Sequence, residues 1–279
     1  MKITIELIKQ LRDKTQVGIA DCKKALEQTN GNFDDAVALL KKKSLYYYKT
    51  QKTKDVTEGL TNVIIDRNKA VLYEINAETD FVVMNSNFQK LFEEVGSILL
   101  KADPSITTLE SFLNFQWEGK TVKDLILEKS FVIKEQIVLS RIQVVYKKDE
   151  ESFGFYKHQG GKISSLVRLD KVCPDAQEHL PVHIAGMKPQ FLNKETVDKE
   201  FLNEKRNTLL EQIKEKNINK PLKDELMNQI VKNMLNATME KICFLEQPFY
   251  MDTEKKVSEY LAIHKTNIIE YYFFEVGKK

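Results

Sequence analysis

The chain has 279 residues, room for one to three domains at the usual ~100 to 200 residues each. Its 43 Lys plus Arg stand against 41 Asp plus Glu, a formal net charge of +2, so 30% of residues are charged and nearly cancel. That excludes blanket attraction to phosphate backbones as a way of working. Ten glycines, with neither G-x-x-x-x-G-K-[ST] nor G-x-G-x-x-G in the chain, exclude the common Gly-rich nucleotide sites.

Residues 1–42 read as three short helices. Thr4 caps a helix with Leu7, Ile8 and Leu11 on one face, and Gly18 breaks the chain before a second helix carrying Cys22, Ala25 and Leu26. Asn30-Gly31-Asn32 stops that helix and caps a third, with Phe33, Ala36, Val37 and Leu40 at helical spacing. Three such stripes meet as a small triangular bundle, similar in shape to the ubiquitin-associated folds. Its marginal core fits a recognition module, with a plain N-terminal helical cap as the alternative. Residues 43–55 continue a basic, tyrosine-rich stretch beginning at Lys41. It has no clear period and reads as a linker, either a solvated tether or a contact in which tyrosines stack on bases and lysines meet phosphate.

From residue 56 the period changes to two. Thr61, Val63 and Ile65 alternate against Asn62, Ile64 and Asp66, a turn falls at Asp66 to Lys69, and Val71, Tyr73 and Ile75 complete a hairpin. After a loop at Ala77 to Val82, Phe88, Leu91, Phe92, Val95, Ile98 and Leu99 mark an amphipathic helix capped by Asn85 or Asn87 and stopped at Asp103-Pro104. Irregular helix is expected over 107–140 and a strand over Ile142 to Tyr146, closing a first core half at 56–146. The second half, 147–279, repeats the theme. Phe153-Gly154-Phe155 and Ile163 to Arg168 flank a Gly-rich turn, and a helix follows Pro174, with Gly154 in the place of Gly59. Within this half, about 194–245 reads as an antiparallel helical hairpin. Val197, Phe201, Leu202, Leu209 and Ile213 line one arm, a turn spans Asn217 to Pro221, and Leu222, Leu226, Ile230, Met234 and Ile242 line the other. It is expected to project, toward a partner or a second copy of the chain. Ile268 to Val276 is a final strand. The fold class is α+β: a three-helix bundle, a two-part core of antiparallel hairpins with helices, and a projecting helical hairpin.

Little in this pattern points to catalysis. His179 and His183 are spaced i, i+4, but Leu180 and Pro181 lie between them and the zinc-protease glutamate is missing. No Ser, Cys or second carboxylate is placed to work with either histidine or with Asp80, so neither an enzyme nor a metal or cofactor site is expected. Phe81 follows Asp80 in a stretch that should be polar. It is either core or an outward anchor, and the core reading is the safer one for a single aromatic. Cys22, Cys173 and Cys243 are scattered and odd in number, as in reduced thiols of a cytoplasmic protein. The N-terminal stretch carries Glu6 and Asp13 without an apolar run, and no segment approaches the ~18 apolar residues that span a bilayer, so neither export nor a membrane is expected.

Four stretches together carry a resemblance covering nearly the whole chain. They are Leu11-Arg12-x-x-Thr15-x-x-Gly18-x-x-Asp21-Cys22-Lys23-Lys24-Ala25-Leu26, Glu78-Thr79-Asp80-Phe81-Val82, His183-Ile184-Ala185-x-x-Lys188-Pro189, and Gln247-Pro248-Phe249. The chain resembles the elongation factor Ts family, nucleotide exchange factors for the GTPase elongation factor Tu. The resemblance implies a non-enzymatic factor without a cofactor. It would bind elongation factor Tu in GDP-bound and nucleotide-free forms, displace Mg²⁺ and GDP, and so promote exchange. Asp80 and Phe81 are then the wedge, with Thr79 and Val82 supporting it. Arg12, Ile19 and Ala20 face a helix of the nucleotide domain, where larger apolar residues are usual in the family at 19 and 20. His183 reaches the phosphate-binding side, and Tyr250 and Met251 pack on the same helix as the bundle. Two departures go with it: the helical module that ends some members is missing after Gly277, and the stretch from Phe81 to His183 is longer than expected. The alternative is a ribosome- or RNA-associated protein using Lys41 to Lys54, whereas the resemblance implies no direct nucleic-acid contact.

Overall fold

In the computed structural model of the chain, which describes residues 3–50, 55–217 and 222–278, the first helix begins where the Thr4 hydroxyl accepts from the Leu7 amide. This helix, α1 (Ile5–Thr15), is followed after Gly18 by α2 (Ile19–Gln28). Asn32 accepts from the amides of Asp34 and Asp35 and starts α3 (Phe33–Thr50). Leu11, Val17, Cys22, Ala25, Leu26, Ala36 and Leu40 form the buried core of the bundle. The third helix does not end near residue 42 but runs through Thr50, into the stretch expected as a linker. No Gly or Pro lies between Asn32 and Gly59, and Leu and Lys are good helix formers, so nothing local breaks it. Residues 51–54 of that stretch, and the side chains of 45–50, lie outside the described residues.

The chain divides into two units, the first comprising residues 1–146, 157–164 and 274–279, the second residues 147–156 and 165–273. In the first, β1 (Glu58–Asp66) and β2 (Lys69–Ala77) pair antiparallel with Asp66 opposite Lys69. There follow α4 (Asp80–Met84), α5 (Ser86–Lys101), α6 (Leu109–Leu113), a short ribbon of β3 (Gln116–Trp117) and β4 (Lys120–Thr121), and α7 (Val122–Ile133). The strand β5 (Ile137–Tyr146) then pairs antiparallel with β2, giving the order β1-β2-β5. Asn85 caps α5, whose Phe88, Leu91, Phe92, Val95, Ile98 and Leu99 pack against Leu60, Ile64, Val71, Tyr73 and Ile75.

The face of β1 turned to α5 is therefore that of Leu60 and Ile64, not the expected row of Thr61, Val63 and Ile65. Both faces are covered: Thr61 and Val63 are buried too, and the Thr61 hydroxyl is bonded to Ser164 and to the Gly161 carbonyl. A strand buried on two sides loses the alternation by which its inner face is read. Helix and sheet lie close together at Gly96, where an added Cβ would lie 2.3 Å from the Tyr73 hydroxyl. That buried hydroxyl donates to the Phe92 carbonyl at 3.0 Å. Despite the better helix propensity of alanine, Gly96→Ala is expected to lower stability by about 2 kcal/mol, through overpacking that a denaturation midpoint will register.

A second three-stranded sheet, in the order β10-β7-β6, is made of β6 (Ser152–His158), β7 (Ile163–Leu169) and β10 (Ile268–Glu275), most of whose residues belong to the second unit. As in the first sheet, two sequential strands lie side by side and a later strand joins the second of them. The helix α8 (Pro174–Met187) continues through Pro181, which has no N–H to offer the Gln177 carbonyl. Gly154 passes so close to that carbonyl that an added Cβ would lie 2.3 Å from it. The helical hairpin is α9 (Lys199–Lys216) and α10 (Asp224–Ile242). Of its expected turn, residues 218–221 lie outside the described residues. The return arm is rotated from the expected seam: Val231 and Met239 are buried, whereas Leu226 and Met234 are exposed. After the hairpin come the ribbon β8 (Pro248–Phe249) and β9 (Asp252–Lys256), then α11 (Val257–Ile263). No helix among the described residues is long and apolar enough to cross a membrane.

Candidate functional site

The expected loop at Asp80 is instead a helical turn, because Thr79 caps it. The Thr79 hydroxyl accepts from the Val82 amide at 3.4 Å and lies 3.0 Å from a carboxylate oxygen of Glu135. One residue back, the Glu78 carboxylate accepts from the Gln136 amide at 2.8 Å. Val82 and Val83 enter the core of the first unit, so the opposite side of α4 faces out. Phe81 is 82% exposed and Met84 78%, three residues apart on that outer side, with Asp80 exposed beside them. Leaving a large apolar side chain in water forgoes roughly 1.5–3 kcal/mol of burial, and here two stand exposed together on one braced turn. Met84 escaped the sequence reading. Its signal was the helical spacing from Phe81, visible only once Val82 and Val83 are known to point inward.

On the bundle of the same unit, Arg12, Ile19 and Ala20 are all exposed, Ile19 by 54%. Asp21, next in the chain, pairs with Lys134 at 3.0 Å.

The remaining candidates belong to the second unit. His183 is fully enclosed, between the rings of Phe244 and Phe249 at 5.4 and 5.9 Å, and so presents no surface of its own to a partner. Its Nδ1 accepts from the Tyr250 amide at 3.3 Å, which leaves Nε2 as the donor to Gln247 Oε1 at 2.9 Å. Gln247, also buried, donates in turn to the carbonyls of Lys241 and Met187 near the ends of α10 and α8. The histidine thus shapes the segment that carries Tyr250 and Met251, which are exposed by 39% and 60%. Gln247 is a working residue that sequence reasoning named only as part of a motif, since its partners are distant in the chain. His179 bonds the Tyr250 hydroxyl at 3.0 Å, so the two histidines meet different groups of the same tyrosine. Among the described residues there is no cluster of metal-ligating side chains.

Burial pushes the His183 imidazole below its ordinary 6.5, although the Gln247 bond opposes the shift. The unfolded chain therefore takes up the proton more readily than the folded one. The stability held by the neutral ring is complete above the ordinary value and falls as pH drops through it toward the lowered one. Denaturant midpoints measured between pH 7.5 and 5 are expected to decline, and His183→Gln to flatten that part of the decline.

Braced turn, three-helix bundle and helical hairpin each hold apolar side chains in the open on an α+β fold. A family model described as Elongation factor TS matches residues 78–278. The chain is 39% identical over 279 residues to the elongation factor Ts of Phytoplasma australiense, covering all of both chains. To that of Phytoplasma mali it is 42% identical over 279 residues, again with complete coverage of both, and to that of Aster yellows witches'-broom phytoplasma it is 41% identical over 277 residues, covering 99% of this chain and all of the relative. The chain belongs to the elongation factor Ts family.

Proposed function

We propose that the chain binds the GTPase elongation factor Tu in the cytoplasm and promotes replacement of its GDP by GTP, without performing covalent chemistry. The observation that supports this reading most is Phe81, held 82% exposed on a turn whose other side is locked into the core. A GTPase holds GDP and Mg²⁺ by cradled backbone amides and a defined coordination shell. An aromatic wedge beside that shell displaces it, and the Asp80 carboxylate competes for the groups that hold the ion. Arg12, Ile19 and Ala20 dock the bundle on the nucleotide domain, and Tyr250 and Met251 add a contact from the second unit, shaped from beneath by His183.

Thermodynamic linkage explains the loosening of GDP, while the greater abundance of GTP, not this chain, gives the exchange its direction. The factor binds the nucleotide-free partner more tightly than the GDP-bound one, and the same coupling free energy must then weaken GDP, about 1.4 kcal/mol for each tenfold. The test is release of a fluorescent GDP analogue from elongation factor Tu with substoichiometric amounts of this chain. Acceleration supports the reading, and an unchanged rate over a wide range of concentration overturns it. Self-association is a second possibility for the hairpin, favoured by the exposure of Leu226 and Met234 on α10. Sedimentation of the free chain across a concentration series decides it.

A further inference from the structure

The segment from Phe131 to Gln136, the last turn of α7 and the link to β5, touches both proposed docking elements of the first unit. At one end, Phe131 is buried with Leu11, Leu26 and Leu40 in the core of the bundle. Lys134 ends α7 in the left-handed conformation, φ 67°. Its ammonium lies 4.0 Å from the Phe131 ring centroid and 3.0 Å from Asp21, the residue that follows Ile19-Ala20. At the other end, the next two residues hold the wedge. Glu135 bonds the Thr79 hydroxyl that caps α4, and the Gln136 amide bonds Glu78. Side by side in sequence, Lys134 and Glu135 thus reach the neighbours of Ala20 and of Asp80.

We infer that residues 131–136 are a positioning bracket, fixing the bundle surface at Ile19-Ala20 and the Phe81 turn in one orientation for simultaneous engagement of the GTPase. The inference rests on the exchange reading and adds to it the residues that couple the two contacts. None of the six needs to touch the partner. An exposed ion pair such as Lys134–Asp21 contributes little to stability, so what it supplies is direction. Once the bundle has docked, insertion of the wedge is an intramolecular step whose effective concentration depends on how rigidly the two are joined. Loosening the bracket therefore slows the step after docking, whereas removing a docking side chain weakens docking itself.

The experiment uses the full chain with nitroxide labels at Ala20→Cys and Met84→Cys, both exposed positions, while the native cysteines are buried. Interspin distance distributions are recorded alongside exchange kinetics of the unlabelled proteins. Lys134→Ala and Glu135→Ala are expected to broaden the distribution and to lower maximal exchange about tenfold, with the half-saturating concentration of the GTPase nearly unchanged. Arg12→Ala should raise that concentration instead. The exchanged pair Asp21→Lys with Lys134→Asp, and the conservative Glu135→Gln, should restore both readouts, which a general loss of folded protein would not allow. Wild-type distributions in the two alanine variants overturn the bracket, and so do broadened distributions with wild-type exchange. If the wild-type chain itself fails to accelerate GDP release, the exchange reading falls while the distances still judge the bracket.

Discussion

Phe81→Ala is expected to lower the maximal rate of GDP release from elongation factor Tu about thirtyfold, the equivalent of about 2 kcal/mol for a buried aromatic hot spot. The loss should come with almost no loss of fold, because the ring is 82% exposed and the free chain makes little use of it. Val82 next to it is the control. At 6% exposure it belongs to the core, so Val82→Ala should shift the denaturation midpoint, by about 1–3 kcal/mol, before it affects exchange in the fraction that remains folded. The two substitutions lie one residue apart and separate contact energy from packing energy. Equal effects of both on stability, or normal exchange by the Phe81 variant, would remove the wedge from the mechanism.

How much of this was legible in the sequence depended on whether the controlling force was local. Thr4, Asn32 and Asn85 cap helices by bonding amides two or three residues away, and all three caps were readable from residue type and spacing. The Arg67-Asn68 turn and the strands on either side were readable for the same reason. The end of α3 was not, because a basic, tyrosine-rich composition resembles a tether while containing no residue that stops a helix. The inner faces of β1 and α10 were misread where period alone had to choose: β1 is covered on both sides, and the seam of α10 is set by the helix it meets. At the site, the run Phe81-Val82-Val83 gave no period in a helix of only five residues, so its residues alone favoured core for Phe81. The resemblance pointed outward, as the exposure does. The Lys134–Asp21 and Glu135–Thr79 contacts join residues 113 and 56 positions apart in the numbering, beyond any pattern in a single sequence.

The largest loss of stability is expected from Arg141→Ala, by about 3 kcal/mol, or ~6–12 °C in the melting temperature of a unit this size. Glu74 lies in the middle of β2 with its side chain only 3% exposed, and Arg141 Nε reaches its carboxylate at 2.6 Å. The same carboxylate accepts from Asn76 at 2.9 Å and from the Gly277 amide at 2.8 Å. Arg141 also donates to the Glu275 carbonyl and stacks over Phe274, its guanidinium carbon 4.0 Å from the ring centroid. One guanidinium therefore neutralises a charge inside the sheet and ties residues 274–277 to it. Without the arginine the carboxylate keeps its two N–H donors but loses its counter-charge, and a buried charge left uncompensated is the main penalty. Removing the charge as well should recover part of the loss. In Glu74→Gln with Arg141→Ala, the amide oxygen still accepts from Gly277, so the double variant is expected to be more stable than Arg141→Ala alone. Hydrogen exchange of the Val276 amide, bonded to the Lys162 carbonyl at 3.0 Å, reports the terminal segment separately from the sheet. If the double variant proves as unstable as the single one, the loss lies in the packing of Arg141 on Phe274 and not in the stranded charge of Glu74.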